Sequence, residues 1–159
     1  MIKLIKPQDI AHWQITNDDV MGGMSKGNMV FEHDHGVFCG HISLEHNGGF
    51  SAVYRQVDQA SSDSDHIEID IQGDGQSYQL RAVVHQDGFR LAYKHDFDTT
   101  VGQRQKISCC LADFKASFRG RNINNAPTLK ASAIREIGFL INSKKAGDFA
   151  LAVFSVEFK

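Results

Sequence analysis

The sequence predicts an all-β fold, an antiparallel sandwich or barrel, and three observations carry that expectation. Apolar residues alternate with a period of two through most of the chain, turn signals punctuate the alternating runs, and no stretch leaves room for the long helices of a βαβ architecture. Phe38, Gly40, Ile42 and Leu44 set the pattern early. In His66-Ile67-Glu68-Ile69-Asp70-Ile71 every second residue is isoleucine, which puts the isoleucines on a core face and the charges in water. Tyr78, Leu80, Ala82 and Val84 repeat it, followed by Phe89, Leu91 and Tyr93 beyond a turn at Gln86-Asp87-Gly88. Ile107, Cys109 and Leu111 share an alternating face, so Cys109 reads as a small buried hydrophobe. Ile137, Phe139 and Ile141 alternate late in the chain, and Phe149 to Phe158 is nearly continuously apolar, as expected of a strand partly covered on both faces. The total is about nine strands, with further turns at Asp34-His35-Gly36, Asn47-Gly48-Gly49 and Gly73-Asp74-Gly75. Ala112 to Ser117, and Leu129 to Arg135 just after Pro127, predict short helical turns.

Composition bounds the function. A chain of 159 residues is the size of one domain and buries about 70% of its unfolded surface without a disulfide or metal staple. A single domain over residues 1–159 is therefore expected. With 17 basic and 19 acidic residues and no basic run beyond Lys144-Lys145, a nucleic-acid partner is not expected. Membrane insertion is not expected either, because no apolar run approaches the ~20 residues of a spanning helix. The start, Met1-Ile2-Lys3-Leu4-Ile5-Lys6-Pro7, lacks the apolar core and cleavage site of a signal peptide. The cysteines Cys39, Cys109 and Cys110 are odd in number and two are adjacent, which argues for a reducing, cytoplasmic setting.

Several catalytic spacings are approached and missed. After Gly22 to Gly27, Asn28-Met29 stand where a phosphate-binding loop needs Lys and Ser/Thr. Gly49-Phe50-Ser51-Ala52-Val53 lacks the final glycine of a nucleophile elbow. Tyr78 replaces the third glycine of a dinucleotide fingerprint after Gly73-Asp74-Gly75. His33, His35, His41 and His46 read as an exposed histidine cluster rather than a zinc site, and no ligand-dense loop for calcium accompanies Asp18, Asp19 or Asp74. No catalytic residue, metal or cofactor is expected.

Four polar-glycine blocks remain: Asn17-Asp18-Asp19-Val20-Met21-Gly22-Gly23-Met24-Ser25, Phe38 to Phe50 ending in Asn47-Gly48-Gly49-Phe50, Gly73-Asp74-Gly75 with Tyr78, and Phe118-Arg119-Gly120-Arg121. They match in order the N-D-x-V-M-G-G-x-S, F-x-G-x-x-S-L-E-x-x-G-G-F, G-D-G-x-x-Y and F-R-G-R blocks of the thirty-kilodalton complex I intermediate-associated protein family, which the chain resembles from Trp13 onward. Ile137-Gly138-Phe139 and Gly147-x-Phe149 also fit. The chain departs from the family where a tryptophan and a proline-containing strand end precede F-R-G-R; here Arg104-Gln105-Lys106 and Cys109-Cys110-Leu111 stand instead.

The resemblance implies a jelly-roll β-sandwich of the galactose-binding type and a non-enzymatic role like that of the family's mitochondrial members, which assemble respiratory complex I by binding its intermediates. A mitochondrial relative would carry an Arg/Ser-rich presequence, so the compact start suggests a bacterial cytoplasmic member. The candidate binding or clamp residues are those of the loop blocks: Asn17, Asp18, Asp19, Met21, Gly22, Gly23, Ser25, Gly48, Gly49, Phe50, Asp74, Tyr78, Arg119 and Arg121. If the loops meet at one end of a sandwich, an arginine fork holds a carboxylate bidentately, either as an internal clamp or as a surface where Met21, Phe50 and Tyr78 meet a protein partner. A carbohydrate or other small ligand is the alternative, since sandwich folds bind sugars with loop aromatics and carboxylates. The single tryptophan, Trp13, is expected to be buried.

Overall fold

The computed structural model describes residues 2–4, 6–17, 26–44, 49–58, 63–86, 88–118 and 121–159, and not the side chains of Thr16, Asn17, Gln86 and Arg121. Asp18, Asp19, Met21, Gly22, Gly23, Ser25, Gly48 and Arg119 lie outside the described residues. The described strands are β1 (Ile2–Lys3), β2 (Gln14–Asn17), β3 (Lys26–Glu32), β4 (His35–Ile42), β5 (Phe50–Gln56), β6 (His66–Gln72), β7 (Ser77–Gln86), β8 (Phe89–Asp98), β9 (Arg104–Cys110), β10 (Lys115–Phe118), β11 (Arg121–Asn122), β12 (Ile134–Asn142) and β13 (Gly147–Phe158). One short helix, α1 (Pro7–Ile10), opens with proline at its first position, and the Asp9 carboxylate accepts the Lys6 N–H at 3.0 Å.

The strands form two antiparallel sheets. One runs β3-β4-β13-β6-β9 with β1 added beside β13, and the other runs β11-β10-β8-β7-β12-β5-β2. Alternation decides which side of each sheet faces the core. Ile67, Ile69 and Ile71 of β6 are fully buried with Phe38, Leu151 and Val153 from the first sheet, against Leu80, Ile137 and Phe139 from the second. Trp13 is buried as expected, its ring 6.1 Å from that of Phe139, and its indole N–H has no partner among the described residues. The β3–β4 hairpin turns through His33, a non-glycine residue at φ 54°.

Two expected helical turns are present but shorter than expected. Of residues 112–117 only Ala112 and Asp113 are helical, in a 3-10 turn at Leu111–Asp113, and β10 follows from Lys115. Residues 129–135 likewise shrink to a turn at Ala131–Ala133 before β12. In both places strand pairing overrides local helix propensity.

Candidate binding face

The described site candidates are placed by backbone pairing. Asn17 closes β2 opposite Ser51, and Phe50 opens β5 opposite Asn142. Gly49 adopts φ 141°, a conformation suited to glycine, and its carbonyl accepts the Ser143 N–H at 3.0 Å. Asp74 stands where β6 parts from β13. The last pair between those strands joins Gln72 to Ala152, and two residues nearer the start of β13 the Ala150 N–H is taken by the Asp74 carboxylate at 2.9 Å. The same carboxylate accepts the Tyr78 hydroxyl at 2.9 Å, the Gln76 side-chain amide at 2.8 Å and the Gln76 N–H at 3.2 Å. Tyr78 is buried in the core, and burial first, then the Asp74 charge, push its hydroxyl pKa up. Asp74 thus completes a sheet edge, and Tyr78 contributes to the interior rather than to a contact surface.

Register separates this loop from the F-R-G-R block. Ser77 lies opposite Asp98 and Ser117 opposite Ala92, so the β6–β7 loop and the turn after Phe118 are separated along β8 by about 20 Å. An arginine side chain does not bridge that distance. Phe118 and Arg121 pair with each other at the far end, so register sets the backbone of these two residues apart from Asp74, while Arg119, Asp18 and Asp19 of the expected fork lie outside the described residues.

A different constellation lies on the outward side of the second sheet. Ala52 and Tyr54 of β5, Leu140 of β12 and Val83 of β7 form a second cluster of buried apolar residues, with Phe50 and Ala92 packed against it. Inward neighbours such as Val53, Ala82 and Phe139 belong to the core, so alternation puts this cluster on the outer side of the sheet, where side chains of that face cover it. Tyr54 lies opposite Gly138, and a Cβ there would stand 2.3 Å from the Tyr54 ring. The Arg90 guanidinium lies over the same ring, 4.5 Å from its centroid. Arg90 is held bidentately by Glu136 at 2.8 and 3.0 Å, and His85 Nε2 meets the same carboxylate at 3.0 Å.

Burial opposes the ionisation of Glu136, but the hydrogen bonds from Arg90 and His85 and their charge outweigh it and hold its pKa below the usual carboxylate range. A carboxyl depressed in the folded state contributes stability above its unfolded pKa, near 4.5, and that contribution disappears as pH falls through the folded value. Urea titrations of the wild type and Glu136→Gln should differ at neutral pH and converge below about pH 3. A pH-independent difference would count against the ionic account.

The remaining chemistry is sparse. A cleft of about 660 Å³ beside residues 128–132 contains one carboxylate, Asp65, and a neighbouring cleft of about 390 Å³ contains none. Burial and then the Asp113 charge push the Cys109 thiol pKa up to about 11, which disfavours the thiolate. Among the described residues no group of three His, Cys, Asp or Glu side chains is placed to hold a metal, and no helix is long and apolar enough to cross a membrane. Sequence reasoning missed Arg90, Glu136 and His85, because only the β7–β8–β12 register brings them together.

Comparison with known proteins gives the context. An uncharacterised protein of Schizosaccharomyces pombe is 30% identical over 104 residues, covering 57% of this chain and 47% of that protein; the chain thus spans about half the length of this relative. Among solved structures, the family 11 carbohydrate-binding module of a Clostridium thermocellum cellulase superposes with a TM-score of 0.67 at 12% identity, over 96% of this chain and 93% of the module. A second structure of a family 11 module from that organism, bound to a β-1,3-1,4-mixed-linked tetrasaccharide, gives 0.65 at 12% identity over 96% and 95%. An exo-β-agarase gives 0.57 at 11% identity over all of this chain and 26% of the enzyme. At such identities the likeness establishes the sandwich fold alone. The family model for complex I intermediate-associated protein 30 matches residues 2–153, and the chain belongs to that family.

Proposed function

We propose that this chain is a non-catalytic binding domain that engages a protein client, an assembly intermediate of respiratory complex I or of a comparable membrane enzyme, through the outward face of the second sheet. The observation behind this reading is the outward side of the second sheet, where the half-buried Phe50 and Ala92 pack on a buried cluster of Ala52, Tyr54, Val83 and Leu140. The core lies on the other side of that sheet, and an apolar strip framed by charged residues has the composition of a contact surface. Family membership supports the same reading.

The test is native-gel co-migration of the tagged full chain with complex I intermediates from its own cells. The wild type should run with subcomplexes. Phe50→Ala should be lost from them while its unfolding midpoint falls by no more than about 4 °C. A wild type that runs only as the free protein, even after cross-linking, would overturn the reading.

The second reading, a saccharide-binding module, draws on the solved neighbours. Against it, Tyr54 is closed off by Gly138 and Arg90, whereas a sugar platform needs an open aromatic face. A β-glucan oligosaccharide at a hundredfold its dissociation constant should raise the midpoint by about 5 to 10 °C if that reading is right.

A further inference from the structure

The outward face of the second sheet carries a line of positive charge that the fold itself does not explain. Lys94 of β8 lies directly opposite Arg81 of β7 on one side and directly opposite Lys115 of β10 on the other. The adjacent residues Tyr93, Ala82 and Ala116 are core, so all three cations share the outward side. Arg81 and Lys94 are half-buried and Lys115 is exposed. Among the described residues, none of the three is ion-paired.

Like charges directly opposite on neighbouring strands destabilise a sheet, and in the other sheet the pair of this kind, Glu68 opposite Glu157, is bridged by Lys159 at 3.3 and 3.9 Å. On its outward side Asp70 is held bidentately by Arg104, at 2.9 Å through each oxygen, and lies opposite Lys106. Glu68 meets Lys159, and His41 meets Asp148. A surface shaped for solubility alone would intersperse the signs in this way. The cationic row instead has as acidic neighbours Asp96, opposite Gln79, and Glu136, which Arg90 and His85 already occupy. Arg81 is also oriented, because its Nε donates to Gln79 Oε1 at 2.9 Å. The chain as a whole has a formal charge of -2, so this is a local excess.

We infer that this row is an anion-recognition line for an acidic peptide segment of the client, with Lys94 as its central contact. The inference rests on the binding-face reading above. Arg81 and Lys115 lie two strand spacings apart, about 10 Å, which suits two or three carboxylates of one segment. A peptide fits better than an acidic saccharide, because the half-buried Ala92, two residues from Lys94 on β8, and Phe50 offer apolar contacts on the same face while the Tyr54 ring is closed to stacking.

The test is fluorescence anisotropy of a labelled glutamate-alanine repeat peptide with the full chain, with a glutamine-alanine peptide and oligogalacturonate as comparisons. The acidic peptide should bind at least tenfold more tightly than the glutamine peptide and weaken as salt rises. Lys94→Gln should weaken binding about tenfold and Lys94→Arg should restore it. The unfolding midpoint of Lys94→Gln should stay level or rise, since the change relieves repulsion; a purely structural lysine would move it down. Arg81→Gln provides the same test if Lys94→Gln fails to fold. Equal affinity for the acidic and neutral peptides, or no effect of either variant, overturns the inference, and so does tight oligogalacturonate binding with the peptide inert. Co-migration lost in Phe50→Ala but intact in Lys94→Gln would overturn the acidic line and leave the binding face standing. No co-migration by the wild type would remove the binding-face reading itself.

Discussion

Replacing Asp74 by alanine should lower stability by about 3 to 4 kcal/mol and the unfolding midpoint by about 10 °C. The carboxylate accepts from Tyr78, from Ala150 N–H and twice from Gln76, and hydrogen bonds to a charged group contribute about 1.5 to 3 kcal/mol each. The total falls below their sum because Asp74 is half-buried and water can reach part of the vacated site. It stays large because the Tyr78 hydroxyl is buried and the Ala150 amide loses the acceptor that replaces a missing strand. Asp74→Asn should cost about 2 kcal/mol, since an amide nitrogen would face a donor where an oxygen stood. Tyr78→Phe should cost about 1 kcal/mol. A wild-type midpoint for Asp74→Ala would remove the clamp from the account.

Gly138→Ala is the second large effect, about 3 kcal/mol by urea denaturation, at the upper end for overpacking. The added Cβ would stand 2.3 Å from Tyr54 Cδ1 and 2.4 Å from the Val53 carbonyl oxygen. A ring can swing aside, but the carbonyl belongs to β5, which pairs with β12 along seven register positions. Adding Tyr54→Ala should therefore recover only part of the loss. Swinging the ring also removes the surface on which Arg90 lies, so client binding should fall with stability. A cost below about 0.5 kcal/mol, the level of an unconstrained surface change, would show that the strands separate more easily than this geometry requires.

The sandwich was legible wherever one face of a strand is buried and the other wet. The isoleucines of β6 and the Tyr78 to Val84 series landed inward as their spacing demanded. β1 offers no local signal, because its two residues are strand only through pairing with Ser155 and Val156. β10 was hidden for the opposite reason: Ala112 to Ser117 suits a helix locally, and only pairing with β8 extends Lys115–Phe118. Of the loop blocks, the G-D-G loop proved chemically specific, with Gly73 so close to Thr99 that a Cβ would come within 2.2 Å of its side chain. Sharing a motif set nevertheless said nothing about sharing an end of the sandwich, and Phe118 and Arg121, the described ends of the F-R-G-R block, lie at the other one. The Arg81–Lys94–Lys115 row is illegible in one dimension, since its members come from three strands and only their register aligns them.

The position of β13 constrains when the molecule can fold. This last strand lies between β4 and β6 and also holds β1, so the first sheet has no centre until residues 147–158 exist. β4 is made roughly a hundred residues earlier, and at about 5 to 20 residues per second it waits on the order of 5 to 20 s for its partner. During that interval Val37 and Phe38 on β4 and the isoleucines of β6 have no neighbouring strand from β13 to cover them. A nascent chain stalled before Gly147 should therefore be protease-sensitive and bound by chaperones, and one released beyond Phe158 should close the sheet at once.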